Sequence, residues 1–395
     1  MATTSANHET PPEQAFRVVD FSGHIPGPLA SYLLRDLGAE VIKVEAPVHG
    51  DGLRPLKPDI AGAGKYHAGL NAGTRSVVMD FRSPDWAPMV AALARSADVV
   101  LVSGRPSVMR QRGIDFETIR AAAPDIVYCM ITGYGVEGSW ADNAAHGLNP
   151  DAWAGLVPIQ SEGGRPAPPP EYLSHGTPLA GVFAALGIMT ALFRRQPGGG
   201  AQFVSTSMWQ TAVWWNWREL NLQLNLGERR LTYDELGPRY ATYWTRDGRA
   251  LIICPIERKF WVAFCEVAGL GAEIAQRGRW DVDHVDYGYD GEREMLAALI
   301  AKRDLAEWTD MLAAIKIPFA PVLTPAEAIG GDHAAALEPT RRFKMDGQEV
   351  AVVAAPVRIS REAKAVPPPV LGPPPLLGAD TDAVLAELGL SAAAV

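Results

Sequence analysis

Residues 171–188 read EYLSHGTPLAGVFAALGI, and they set two reactive side chains at the mouth of a helix built from small residues. Thr177 brings a hydroxyl and His175 an imidazole. A threonine at such a mouth is expected to cap the orphan N–H groups of the first helical turn. A second histidine, His146, lies upstream in AHGLNPDAWAG, residues 145–155. Taken by itself it reads as a solvated loop residue. The acid nearest the mouth is Glu171. The three cysteines, Cys129, Cys254 and Cys265, are widely spaced and odd in number. They argue against a disulfide framework and a structural zinc site, and a reducing cytosol is the natural compartment. No metal is expected.

The elements that must position these residues read as a parallel α/β framework. A short apolar strand at 18–21 is followed by a Gly/Pro turn, a helix to about Leu37 with Gly38 as its C-cap, and a strand at 41–44 ending on Glu45. The pattern continues with a strand at 76–80, a helix at 84–96, a strand at 99–102, helices within 107–122 and a strand at 126–132. The first unit lacks GxGxxG, because Gly23 and Gly27 are separated by His-Ile-Pro and Pro28 follows. A nicotinamide or flavin site is therefore not expected.

The middle of the chain, 148–227, reads as mostly helical, interrupted by a Gly/Pro-rich loop at 163–170. The stretch 208–217 holds four of the eleven tryptophans. It reads as a core or subunit-contact helix, with a ring-stacking platform as the alternative. Hairpins are expected around Arg246-Asp247-Gly248 and at Asp346-Gly347, and helices at 258–269, 291–301 and 303–315. The proline-rich stretch 366–378 is too apolar for a free linker and is expected to lie across a surface. A last helix spans 381–388.

The chain has 395 residues and a net charge of −9, which argues against a basic nucleic-acid footprint. Residues 1–15 carry no basic or apolar leader pattern, so no signal peptide is expected. The longest apolar run, 181–193, is too short to span a bilayer. No nucleic-acid or membrane partner is expected, and a cytoplasmic location follows.

Several stretches together resemble the class III CoA-transferase family, the type of formyl-CoA transferase, carnitine CoA-transferase and α-methylacyl-CoA racemase. They are VVDFSGHIPGPLASYLLRDLGAEVIKVEAP with Gly50-Asp51 and Arg54, NAGTRSVVMDFRSPD, ADVVLVSGRPSVMRQRGID, PDIVYCMITGYGVEGSWAD, GGGAQFVSTSM, IPFAPVLTPAEA and LGADTDAVLAELG. The resemblance runs in order along nearly the whole chain. It implies a Rossmann-like, CoA-binding α/β large domain from both chain ends, 1–229 and 326–395. It also implies a smaller α+β domain at 230–325 and an interlocked, ring-like dimer.

The resemblance also implies chemistry. In such transferases an aspartate attacks the acyl-CoA thioester, giving a mixed anhydride and CoA thiolate. The thiolate returns to form an aspartyl-CoA thioester, and the acceptor acid takes the CoA. Here that aspartate position falls on Thr177 or Gly176, so the expected nucleophile is absent. Family racemases pair the aspartate with a histidine. His146 falls at the histidine position, nine residues before Gly155, and the acid usually beside it is Gly147. The CoA-gripping turn reads Ser103-Gly104-Arg105, with its asparagine and aromatic replaced and its arginine kept. The lysine before Arg75 is Thr74, and the arginine before Gly113 is Gln111, flanked by Arg110 and Arg112. Arginines hold phosphates by charge-assisted, bidentate bonds, so Arg105 and Arg75 lead the cofactor-binding set.

The sequence thus implies a CoA-transferase family protein using coenzyme A as acyl-CoA substrate, with a carboxylic acid as the other reactant. The leading reading is the subunit of a two-subunit transferase that lacks the catalytic aspartate, paired with a homologous subunit. Two alternatives stand beside it. One is a homodimeric transferase or acyl-CoA racemase with a rearranged site using Glu171, His146 or His175. The other is a non-catalytic acyl-CoA-binding protein.

Overall fold

The computed structural model describes residues 16–162, 165–168, 172–227, 236–278, 280, 285–289, 291–361, 364–365 and 369–390. Its internal contacts divide the chain into two compact units, Met1–Asn221 with Glu338–Val395, and Leu222–Leu337.

The first unit is built on six strands: β1 Arg17–Asp20, β2 Glu40–Glu45, β3 Arg75–Val78, β4 Val99–Ser103, β5 Val127–Thr132 and β6 Gln202–Ser207. Every pairing among them is parallel, in the order β6-β5-β4-β1-β2-β3. This is the doubly wound order, and its switch point lies between β1 and β4. Sheets covered on both faces need strands that are apolar throughout. Accordingly all six residues of β5 are buried. Alternation then divides the core: Val19, Ile42 and Val100 join one apolar cluster, while Val18, Val41 and Val99 join the other.

Helices α1 Pro26–Asp36, α2 Trp86–Ser96, α3 Pro106–Gln111 and α4 Phe116–Ala122 belong to the crossovers. Helix α5 Leu148–Trp153 precedes the long helix α6 Gly176–Arg194. The 19 residues of α6 and its hydropathy would suffice for a membrane span, exceeding the 13-residue apolar run read from sequence. Yet Ala180, Ala184 and Ile188 are fully buried in the second cluster. At Gly181 a β-carbon would lie 2.6 Å from Pro26 O, so α6 crosses α1 in direct backbone contact. This is a core helix.

The tryptophan-rich stretch is two helices, α7 Met208–Trp215 and α8 Trp217–Leu226. The break falls at Asn216, whose side-chain amide donates to Ala154 O at 3.0 Å. The chain's end returns to the sheet. Helix α9 Thr381–Glu387 docks on β3, where Ser76 N donates to Asp380 Oδ2 and Val78 N to Thr381 Oγ1. The described part of the proline-rich stretch lies against the first unit: Arg54 Nη1 donates to Pro375 O and Gly73 N to Pro373 O, and Leu371 is buried.

The second unit has its own antiparallel sheet of three strands, Ala241–Trp244, Ala250–Ile253 and Phe319–Pro321. Its core stacks Trp261, Phe264 and Trp308. Beneath them Arg239 is wholly buried, paired with Glu292 at 2.7 Å and lying over the Trp261 ring at 4.0 Å.

Candidate functional site at the mouth of the long helix

A buried carboxylate does stand at the amino end of α6, and it comes from a different helix. Asp151 of α5 has no exposed surface. Its Oδ2 accepts from His175 N at 2.7 Å and from the Tyr172 hydroxyl at 2.9 Å, and its Oδ1 accepts from Gly176 N at 2.9 Å. An anion is favoured there, because the N–H groups of the first turn point out unpaired and the helix dipole is positive at that end. Burial, and then the bond to Asp151, push the Tyr172 phenol well above its ordinary range, so it stays a donor.

This arrangement corrects the capping role expected of Thr177. Asp151 holds the first turn, so the helix begins at Gly176 and Thr177 falls inside it. Thr177 is buried, and its hydroxyl bonds to Ser174 Oγ at 3.1 Å and Met208 Sδ at 3.3 Å. Ser174 in turn donates to Gly147 O at 3.0 Å.

The packing leaves no room for a β-carbon at Gly176 or at Gly147. A β-carbon on Gly176 would lie 2.3 Å from Met208 O and 2.7 Å from Asp151 Oδ1. One on Gly147 would lie 2.7 Å from Thr177 Oγ1 and 2.8 Å from Ser174 Cβ. Such separations are below those real β-carbons show, and the first obstacle is backbone, which cannot step aside. His146 is exposed beside this seam, with its backbone N–H on Asn149 Oδ1 at 3.3 Å. The His175 ring stacks on Trp215 at 5.6 Å and meets Tyr172 edge-on at 5.5 Å. Glu171 lies outside the described residues.

The six residues of the expected cofactor set separate into two places. Ser103, Gly104, Arg105 and Gln111 follow one another from the carboxyl end of β4 into α3, beside the switch point. Ser103 Oγ accepts from Gly23 N at 3.2 Å, and Gly104, with φ of 138°, donates to Ile131 O. Arg105, Arg110, Gln111 and Arg112 are exposed. Arg112 lies over the Phe81 ring at 5.0 Å, at a narrow cleft also lined by Phe21, Glu45 and Trp86. Arg75, by contrast, is three strands away at the start of β3. Its guanidinium is held by Glu387 at 2.8 Å and Glu40 at 2.8 Å, and those two carboxylates raise its pKa further. It clamps the terminal helix to the sheet. Thr74 is buried with its hydroxyl on Asn71 O at 2.8 Å.

Under the switch point lies a second, charged network. Lys43 is buried with its Nζ 2.9 Å from Asp51 Oδ2 and 3.8 Å from Asp20 Oδ2, and it donates to Ser22 O. Glu45 accepts from Arg54 at 2.5 and 2.7 Å, from Ser76 Oγ at 2.7 Å and from Asp51 N at 2.8 Å. Although burial opposes it, these donors pull the Glu45 pKa below the usual carboxylate range, and Lys43 does the same for Asp51. His67, only 2 % exposed, is kept neutral: burial, then Arg54, lower its pKa to about 4.

Sequence reasoning missed Asp151 as a site residue. Its partners are 21 to 25 positions away, and α5 is a six-residue helix with no periodic signal. The only available hint was an acid inside the AHGLNPDAWAG stretch.

The doubly wound parallel sheet, with a Gly/Pro turn at its switch point and an apolar helix that starts at the small-residue mouth, defines an α/β protein. The chain belongs to CoA-transferase family III, whose model matches residues 14–381. Human alpha-methylacyl-CoA racemase is 28% identical over 386 residues, covering 96% of this chain and 94% of the racemase. Acetyl-CoA:oxalate CoA-transferase of Acetobacter aceti is 27% identical, covering 91% and 92%. The crystal structure of Rv3272 from Mycobacterium tuberculosis superposes with a TM-score of 0.79 at 26% identity, over 94% of this chain and 99% of that one. A CAIB/BAIF family protein from Brucella suis gives 0.77 at 26%, over 95% and 98%. CoA thioesters are the family's substrate, and both transferases and racemases are among the relatives.

Proposed function

We propose that this chain takes part in moving CoA between an acyl-CoA and a carboxylic acid as the non-nucleophilic subunit of a two-subunit transferase. The observation that carries the reading is the filled mouth of α6. Gly176 and Thr177 offer no carboxylate, and the space that an acid at 176 would need holds Met208 O and Asp151 Oδ1. Asp151 itself is fully buried and accepts three hydrogen bonds, two from backbone, which ties its lone pairs to the helix.

On this reading a homologous chain supplies the aspartate that attacks the thioester. The C–S bond breaks, the anhydride C–O bond forms, and the thiolate leaves as CoA. This chain binds and orients. Arg105, Arg110 and Arg112 stand exposed where α3 leaves the switch point, a place where open α/β sheets take ligands. Guanidinium groups so placed suit CoA phosphates. Large and small domains at 1–229 with 326–395 and at 230–325, interlocked subunits and a cytoplasmic location belong to the same proposal.

The test is CoA exchange between an acyl-CoA and free acid, with native mass spectrometry of the complex from its source cells. The chain alone is expected to show no exchange, and co-expression with a similar-sized homologue carrying an aspartate before its own small-residue helix is expected to restore it. Exchange by the chain alone, as a homodimer, overturns the reading and turns attention to His146 and His175.

A further inference from the structure

Four aromatic rings gather beside the mouth, and two of them sit on the helices that frame it. Helix α5 carries Asp151 and, two residues on, Trp153. Helix α7 carries Met208, which touches Thr177, and next to it Trp209. Trp153 and Trp209 lie 5.5 Å apart between centroids. Trp140 packs against Trp153 at 4.1 Å with the planes tilted by 35°, and Tyr134 meets both edge-on at 5.2 Å. The backbone fixes the cluster to the sheet's carboxyl edge: Tyr134 lies two residues beyond β5, and Trp209 N donates to Gly133 O at 3.0 Å.

Two features set the cluster apart from ordinary core. Trp140 and Trp153 keep 41 % and 47 % of their surface open, although each already packs against other rings. The Trp209 indole N–H is buried and has no hydrogen-bond partner among the described residues, a donor left unpaired at a cost. Open ring faces next to a reactive mouth accept a flat π-system by offset or edge-on stacking, and an unpaired indole N–H suits an acceptor oxygen or a π-face.

We infer that this cluster is the acyl-binding platform and that it selects thioesters of aromatic acids. The inference rests on the family reading in that it needs an acyl-CoA at the mouth of α6. The chemistry chosen is an arene on the acyl side. CoA's own adenine is the other source of a flat ring.

Binding to the purified assembly is measured calorimetrically with three probes: benzoyl-CoA, acetyl-CoA and CoA. Benzoyl-CoA is expected to bind at least tenfold tighter than acetyl-CoA. Trp153→Leu is expected to erase that preference while acetyl-CoA affinity stays within twofold. Trp140→Leu, on the loop and remote from the helix core, repeats the test if the first variant loses its fold. Equal affinity for benzoyl-CoA and acetyl-CoA in the wild type overturns the platform and leaves the CoA reading intact. Equal weakening of all three probes by both variants assigns the rings to adenine and overturns the acyl assignment. Rings shielded from acrylamide in the assembled complex, with no preference, assign them to subunit contact and overturn it. Failure of all three probes to bind removes the family reading as well.

Discussion

The switch-point network and the mouth of α6 lie in one unit and use opposite chemistry. Under the switch point, Lys43, Asp20, Asp51, Glu45 and Arg54 hold each other's charge at 2.5 to 3.8 Å, largely out of water. At the mouth, glycine, serine and threonine fill the space and one carboxylate, Asp151, caps a helix. The difference teaches where charge is structural. Buried ions persist where each has its partner, because a lone one costs several kcal/mol. Among the described residues no salt bridge reaches Asp151, and this acid is held by two N–H groups and the Tyr172 hydroxyl.

The sharpest way to break this contrast is to remove the cation. Lys43→Met leaves Asp20 and Asp51 buried without their counter-ion. Urea denaturation is expected to show a loss of about 4 kcal/mol. A loss below about 1 kcal/mol would mean that water reaches the carboxylates and that the network is no more buried in solution than the mouth.

The next effect is read by pH. His67 titrates near 4 when folded and near 6.5 when unfolded, so the unfolded chain binds more protons between those values. Stability is therefore fully present above about pH 6.5 and falls by about 3 kcal/mol as pH drops to 4. Glu45 and Asp51, with depressed values, add a further fall below the ordinary carboxylate range. His67→Gln is expected to flatten the slope between pH 6.5 and 4 in denaturation curves. An unchanged slope assigns the titration to another group.

The smallest of the three effects falls at the mouth. Asp151→Ala leaves two N–H groups and the Tyr172 hydroxyl without their acceptor, and a loss of about 2 kcal/mol is expected. Asp151→Asn keeps an acceptor oxygen and is expected to lose about half as much. An equal loss for both would show that the charge on the helix terminus, rather than the acceptor, carries the effect.

Much of the framework was legible in the sequence because its signals are local. The strand at 41–44, the Gly38 C-cap and the parallel alternation each depend on neighbours within a few residues. That 176–177 reads Gly-Thr, without an acid, is plain in the sequence. The carboxylate that caps the helix there was not legible, because Asp151 meets His175 and Gly176 only after α5 folds back on α6. Arg75 was read as a phosphate ligand for the same reason. Its partner Glu387 lies 312 positions away, at the far end of the chain. The tryptophan stretch was legible as helical, but the break at Asn216 depends on Ala154, which no local pattern records.

The docking of Thr381–Glu387 on β3 also sets a schedule. Val384 and Leu385 fill the core beside β3, and Asp380 and Thr381 receive its outer N–H groups. Roughly three hundred residues separate that strand from the helix that covers it, so a ribosome adding about 5–20 residues per second needs tens of seconds to deliver the cover. During that interval β3 is an open sheet edge beside exposed valines, which is where other nascent chains add strands. The whole second unit is made in the meantime. A messenger truncated just before codon 381 would leave that edge bare for good, and the product would be a substrate for chaperones rather than for CoA.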